Sequence, residues 1–550
     1  MSLFEKHKGI IDRAIQAINE RSYYAAYPEL PKVYAEDSAT KASEAYKNQL
    51  SKKFELALQG VPVRWAGEEV SPYTQEPLDI LYPIYDVEDT IEKSRAAFKS
   101  WRKTTPSERA GLLVESLEKI KGNFFEIALA TQHTTGQSWI MSFQASGPHA
   151  ADRALEAIVL GYYEQTRFPD KVLWEKPMGK FSVKIEKEFH PQPKGIGVVV
   201  GCSTFPVWNS LPGLFANLVT GNTAIVKPHP KSILPIAICV AAIQQTFMEN
   251  DYDPCTVQLA ADTVRNQVTK ELVLHPDVKL IDYTGSTEFG NYIESIASKT
   301  TFTEKAGVNS VIIDSVADLD AVLQNLAFSV SLYSGQMCTA PQNFFIPDKI
   351  IAGDHEVPFD EVVSRMKDQL NGLVNNPKIG AGVLGAVQNE NTLKRIEDAE
   401  SLGGRLLLSS SAVRNEEFEN SRTVSPVLIE AEASENHIFE SELFGPIAIA
   451  IRTRDTIESI KLAKELAAEH GAITCAAYTT DENMMHKISE EMNEVFTPVT
   501  FNLTGPIWVN QHAAFSDFHV TGGNSAGNAS LTNPEFVIKR FVWVGNRRMI

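Results

Sequence analysis

Between Lys194 and Lys227 the chain carries 32 consecutive uncharged residues, broken by Pro206, Asn209, Pro212, Asn217, Gly221 and Asn222. A stretch this long without a charge raises the question of a membrane span. The interruptions favour another reading: buried strand, loop, helix, buried strand, as in a parallel sheet covered on both faces. The pattern continues beyond the stretch. Residues 195–200, 223–226, 257–260 and 280–283 read as short strands, and 208–220 and 235–250 as helices. From about residue 306 it resumes, with strands at 310–314 and 343–347 flanking a helix at 318–332. Such alternation predicts an α/β fold with mostly parallel sheets and helices on both faces.

At 550 residues the chain exceeds the roughly 250–300 at which a single core stops growing, so several domains are expected. A formal net charge of −18 argues against a nucleic-acid partner, although a local basic pocket could still bind an anion. The five cysteines form no CxxC pair and show no metal-ligand spacing with histidine, so no metal site is expected. So few thiols in so long a chain point to a reducing, cytoplasmic setting. The charged N-terminus has no apolar core of a signal peptide, and no membrane attachment is expected.

Residues 1–60 read as a helical extension. Ile11, Ala14, Ile15 and Ile18 form one apolar stripe, and a second helical run covers 35–58. A helix follows Ser107, the expected N-cap. Residues 181–189 alternate apolar and polar, as in a half-exposed strand, and an apolar strand at 541–544 closes a glycine-containing tail.

Five local features carry chemistry. Cys338 lies near a helix end among small and polar residues, where a thiol can reach a cleft; a lone cysteine is more often a small buried hydrophobe. Glu304, read as standing just before a strand, is by itself an ordinary turn residue. Thr284-Gly-Ser286 runs from a strand into a helix containing Gly290, and Gly285 with that helix N-terminus could cradle a phosphate. Lys227 ends a buried strand, where ligands of open parallel sheets collect. Ser441-Glu-Leu-Phe-Gly-Pro446 brings Glu442 and Phe444 to a turn.

In this order the motifs resemble the aldehyde dehydrogenase family: Phe205-Pro206, Lys227-Pro228, Thr284-Gly-Ser286, Glu304, Gly335-Gln-Met-Cys338 and Glu442-Leu-Phe-Gly-Pro446. The resemblance covers roughly residues 80–540. It implies two open parallel-sheet domains plus an oligomerisation element. These would be a cofactor-binding domain (61–170 and 192–305), a catalytic domain (306–505), and an oligomerisation element (171–191 and 506–550) that joins homodimers or homotetramers. It also implies that Cys338 attacks an aldehyde and that Glu304 activates water to hydrolyse the resulting thioester. A nearby helix end or the bound nicotinamide would lower the thiol's pKa.

The chain departs from the family's usual PWNFP, reading Cys202-Ser-Thr-Phe-Pro206, so Thr204 replaces the asparagine that usually donates to the oxyanion. With the N-terminal extension, this most resembles the PaaN branch of phenylacetate degradation, whose substrate is a CoA-linked semialdehyde. Lys227-Pro-His-Pro-Lys231 contains no acid to repel a 2′-phosphate. NADP is therefore expected over NAD, with Lys227 the principal contact and His229 and Lys231 its helpers. The alternatives are a CoA-acylating relative, against which Glu304 counts, and a non-catalytic protein with this fold.

Overall fold

The computed structural model describes residues 1–56, 59–296, 298–509, 511, 513–515 and 519–550. Ala57 and Leu58, at the end of the second expected helical run, lie outside the described residues. The same holds for Asn510, His512 and Ser516–Phe518 within the tail.

Two parallel sheets organise the molecule. The first runs Val257–Leu259, Thr223–Lys227, Ile196–Val200, Val278–Thr284, Thr300–Glu304 in spatial order, every neighbouring pair parallel. Its central strand, Ile-Gly-Val-Val-Val, is buried along its whole length, as β-branched residues covered on both faces should be. The chain winds outward from this strand first one way and then the other. The order therefore reverses between Ile196–Val200 and Val278–Thr284, which opens a crevice at their carboxyl ends.

The second sheet has seven strands in the order Arg405–Leu408, Val427–Glu432, Ile447–Thr453, Asn343–Pro347, Ser310–Ile313, Cys475–Tyr478, Val499–Phe501. Arg405–Leu408 is antiparallel to its neighbour; the other pairings are parallel. A third, antiparallel sheet joins Lys171–Met178, Phe181–Pro193 and Phe541–Met549.

The long uncharged stretch resolves into strand, the helix Pro206–Val219, and strand. Among the described residues no helix is long and apolar enough to cross a membrane. The helix expected after Ser107 begins earlier, at Pro106. Thr105 caps it, accepting from Glu108 N while Glu108 reaches back to Thr105 N, a reciprocal box with proline at the first turn.

The N-terminal helix Leu3–Glu20 buries Ile11 and Ala14 of the expected stripe. It lies so close to the Pro106–Lys121 helix that a Cβ on Gly111 would stand 2.4 Å from Phe4 N. Further on, Glu29 Oε2 meets His149 Nε2 at 2.7 Å. His149 ends a π-helical turn, Ala145–His149, inside the long helical run that forms one wall of a cavity described below.

A bidentate ion pair closes the first sheet from beneath. Arg540, 0 % exposed, places Nη2 2.6 Å from Asp282 Oδ1 and Nη1 2.8 Å from Asp282 Oδ2. Asn217 bridges both partners, and Phe302 stacks under the guanidinium at 3.9 Å. The C-terminal segment is thereby fixed to the sheet that carries the crevice.

Candidate active site

Cys338 is positioned by a backbone that only tertiary contacts can hold. The helix Leu319–Ser331 ends well before it, and Tyr333, Ser334 and Gly335 follow in the left-handed region (φ 52°, 49° and 59°). Two consecutive non-glycine residues in this region are strained, so surrounding bonds must over-determine them. Tyr333 Oη donates to Thr135 O at 2.7 Å and Ser334 Oγ to Leu384 O at 3.0 Å. Gln336 Nε2 donates to Tyr333 O and Ala386 O, and its Oε1 accepts from Gln388 N. Gly335 is required, because a Cβ there would lie 2.3 Å from Gly445 O. Asn309 Nδ2 then holds Cys338 O at 2.7 Å.

This loop delivers the sulfur to the wall between two cavities. One, about 700 Å³, occupies the crevice of the first sheet and is lined by Cys338, Glu304, Thr204, Lys227, His229 and Gly285, with Ser286, Glu442 and Phe444. The other, about 1010 Å³, reaches Cys338 from the opposite side past Phe205, Trp208, Phe328, Phe418 and Trp508.

Glu304 stands ahead of the buried strand Ser310–Ile313, and it is itself the last residue of the edge strand Thr300–Glu304 and is buried. The glycine-rich tail pins that strand end, with Lys305 N donating to Ala526 O and Asn528 N to Thr303 O. The same tail brings His519 inward. Its Nε2 lies 2.9 Å from Glu304 Oε1 and 3.5 Å from Cys338 Sγ. Trp208 holds the imidazole edge-on, with ring centroids 4.7 Å apart, and Arg153 covers Trp208 at 3.5 Å.

Burial would raise the Glu304 carboxyl. His519, by charge and hydrogen bond, and then Arg153 outweigh it and hold the group below the usual carboxylate range. Burial, and next the Glu304 charge, push the Cys338 thiol well above its ordinary value. The expectation of a thiol lowered by a helix end is therefore corrected: the helix has already ended at Ser331, and the nearest strong influences on the sulfur are burial and a carboxylate.

The family model described as aldehyde dehydrogenase matches residues 67–536, most of the chain. The chain belongs to the aldehyde dehydrogenase family. A solved structure of an NAD-dependent aldehyde dehydrogenase from Burkholderia multivorans is 42% identical, covers 100% of this chain and 99% of that one, and superposes with a TM-score of 0.97. The 1-pyrroline-5-carboxylate dehydrogenase 2 of Bacillus subtilis is 24% identical over 508 residues, 88% of this chain and 92% of its own. A Thermus 1-pyrroline-5-carboxylate dehydrogenase with bound NAD shares the fold at 19% identity and a TM-score of 0.75, over 96% of this chain and 99% of that one.

In this aldehyde dehydrogenase most of the expected site residues face the crevice, and two do not. Gly290 lies outside the cavity wall: a Cβ there would strike the Lys305 stem at 2.5 Å, so its lack of a side chain serves packing. Lys231 is likewise outside the wall, its backbone N–H donating to His229 Nδ1 at 3.2 Å. The segment Lys227–Lys231 carries no acid of its own, but one reaches Lys227 from elsewhere in the chain. Asp262, just past the third strand, places Oδ1 2.9 Å from Lys227 Nζ, and both are buried. His229 is pushed down to about 3 by burial and then by Lys227 and Lys231, so it is neutral at physiological pH.

His519 and Asp262 stand in the candidate site without having been expected there from the sequence. Nothing in the spacing of either indicates its partner. The one signal for His519 was its place ahead of Thr521-Gly-Gly, the loose counterpart of the family's C-terminal glycine signature.

Proposed function

We propose that the chain oxidises an aldehyde to a free carboxylic acid, with NAD as hydride acceptor and Cys338 as nucleophile. The observation that carries this reading is the position of Cys338 in a wall shared by a cofactor-sized crevice and a second, aromatic-lined cavity.

The crevice fits the dinucleotide. Lys227 and Asp262 would hold ribose hydroxyls, and Ser286 with the N-terminus of the Thr287–Glu294 helix would receive the diphosphate. Glu442 and Phe444 would border the nicotinamide end. The Asn209 Oδ1 acceptor, buried in the same wall without a partner among the described residues, is available to an incoming donor. When bound, the cofactor supplies the hydride-accepting ring. A 2′-phosphate would meet Asp262 beside a single buried lysine and a neutral imidazole, which favours NAD over the NADP expected from the sequence.

Cys338 loses its thiol proton to solvent and its sulfur attacks the aldehyde carbon, while Glu304, kept ionised by His519, stays free to act as base in the later step. The Cys338 N–H and the Thr204 hydroxyl receive the developing oxyanion. After hydride loss a thioester remains on Cys338, and Glu304 takes a proton from the water that hydrolyses it. Because Glu304 is present, the acyl group goes to water rather than to CoA.

The finer reading, a CoA-linked semialdehyde of phenylacetate degradation, draws support from the second cavity. It is about 1010 Å³, aromatic near the sulfur, and has Lys378 and Arg414 at its exposed end alongside Glu416 and Glu417. The narrow antiparallel sheet, with Leu173, Phe181, Val542 and Val544 exposed, supports a homodimer or homotetramer joined through that face.

Pre-steady-state kinetics test the core of the reading. Glu304→Gln should still release one reduced cofactor per site, while turnover falls on the order of 100-fold or more. Cys338→Ala should abolish both phases. Survival of turnover in Cys338→Ala refutes the nucleophile. A panel of free semialdehydes, including that in equilibrium with 1-pyrroline-5-carboxylate, against CoA-linked ones decides the substrate.

A further inference from the structure

We propose that Cys338, His519 and Glu304 form a binding site for a thiophilic divalent cation, zinc or cadmium, and that its occupancy reversibly inhibits the enzyme. The inhibition rests on the proposed role of Cys338; the binding does not.

Three donors of three kinds converge here: thiol, imidazole and carboxylate, their ligand atoms all within 4.8 Å of one another. With Zn–S near 2.3 Å and Zn–N near 2.1 Å, a tetrahedral ion sets sulfur and nitrogen about 3.6 Å apart, and nitrogen and oxygen about 3.3 Å. The observed separations are 3.5 Å and 2.9 Å, so the sulfur–nitrogen pair already matches and the imidazole–carboxylate pair must open by a few tenths of an ångström, while sulfur and carboxylate lie within 4.8 Å. Two ligands are already fixed: Asn309 holds the Cys338 backbone and Trp208 holds the His519 ring. A thiolate and a carboxylate neutralise the dication, so no net charge is buried.

The site is reachable. Cys338 and His519 line the second cavity, while Cys338 and Glu304 line the crevice. Three protein ligands leave a fourth position for water or an incoming ligand. A sulfur bonded to the ion cannot attack a carbonyl, and Glu304 cannot serve as base. The expectation of no metal came from cysteine–histidine spacing along the chain. Here the histidine stands 181 residues from the cysteine and 215 from the glutamate, beyond the reach of any spacing rule.

The test titrates zinc and cadmium into the full-length enzyme with neither nucleotide nor aldehyde present. Equilibrium dialysis counts the bound ion, and cadmium reports the ultraviolet charge-transfer band of a cadmium–thiolate bond. The expected result is one ion per chain, the thiolate band, and loss of aldehyde oxidation that a chelator restores. Cys338→Ser should abolish the band, and His519→Gln and Glu304→Gln should each weaken binding at least about tenfold. If either of those chains fails to fold, the wild-type band and its loss in Cys338→Ser decide the matter. A wild-type chain that binds no ion in the micromolar range overturns the site, as does unchanged binding in His519→Gln. A band that survives in Cys338→Ser also overturns it, moving the ion to Cys202. Ion binding with the expected pattern in a chain that oxidises no aldehyde leaves the site standing and removes the functional reading instead.

Discussion

Replacing Asp262 with asparagine should relax the discrimination against NADP. Asp262 Oδ1 is 2.9 Å from Lys227 Nζ, so a 2′-phosphate engaging the same ammonium would sit within about 5 Å of the carboxylate. At an effective dielectric of about 20, unit charges at that distance repel by about 3 kcal/mol, roughly a hundredfold in relative affinity. His229 is neutral at physiological pH and does not offset this. Asparagine keeps the shape, and its single Oδ1 can accept either from Lys227 or from Val268 N, which Asp262 Oδ2 now holds at 3.1 Å, but not from both. The assay is kcat/KM for NAD and for NADP with one aldehyde, in wild type and in Asp262→Asn. The ratio should favour NAD in the wild type and fall by one to two orders of magnitude in the variant. A wild-type enzyme that prefers NADP, or a ratio that moves less than about twofold, refutes the reasoning.

Arg540→Ala should cost about 3–5 kcal/mol in chemical denaturation, because it leaves the Asp282 carboxylate buried without its partner; a loss under about 1 kcal/mol would show that water reaches the site. Gly335→Ala combines φ 59° with a 2.3 Å contact to Gly445 O, so it should lower stability on the order of 1–3 kcal/mol and reduce kcat more than KM. Wild-type behaviour on both counts would mean the Tyr333–Gly335 turn does not position the sulfur. His519→Gln removes the largest of the influences that hold Glu304 below the usual range, leaving Arg153 to oppose a burial that raises it. A base works only when ionised, so activity fails as pH falls through its pKa, and the acid limb of the kcat profile should shift to higher pH. An unshifted limb with a reduced plateau would assign His519 a purely structural role.

How much of the site was legible in the sequence depended on where each residue's partners lie. Lys227 and Gly285 belong to short motifs at the ends of parallel strands, and topology delivers such ends to one crevice, which the loops carrying Cys338 and Glu442 complete. Gly290 occupied a motif position yet serves Lys305, because a glycine before a strand–helix packing contact and one before a phosphate look alike in one dimension. The N-cap is Thr105, two residues before the expected Ser107, because the Thr105-Pro-Ser-Glu108 capping box closes there.

By itself the sequence determined the strand–helix alternation, the parallel sheets and the terminal strand, since periodicity and turn chemistry act over a few residues; the proposed nucleophile and its carboxylate were implied by the ordered motifs' resemblance to a family. Tertiary structure alone decided that an imidazole from the tail would stand between thiol and carboxylate, and that an acid past the third strand would face Lys227. The reason is that pairings across 181 or 215 residues arise from packing separate elements around a shared core, and that packing leaves no regular spacing along the chain.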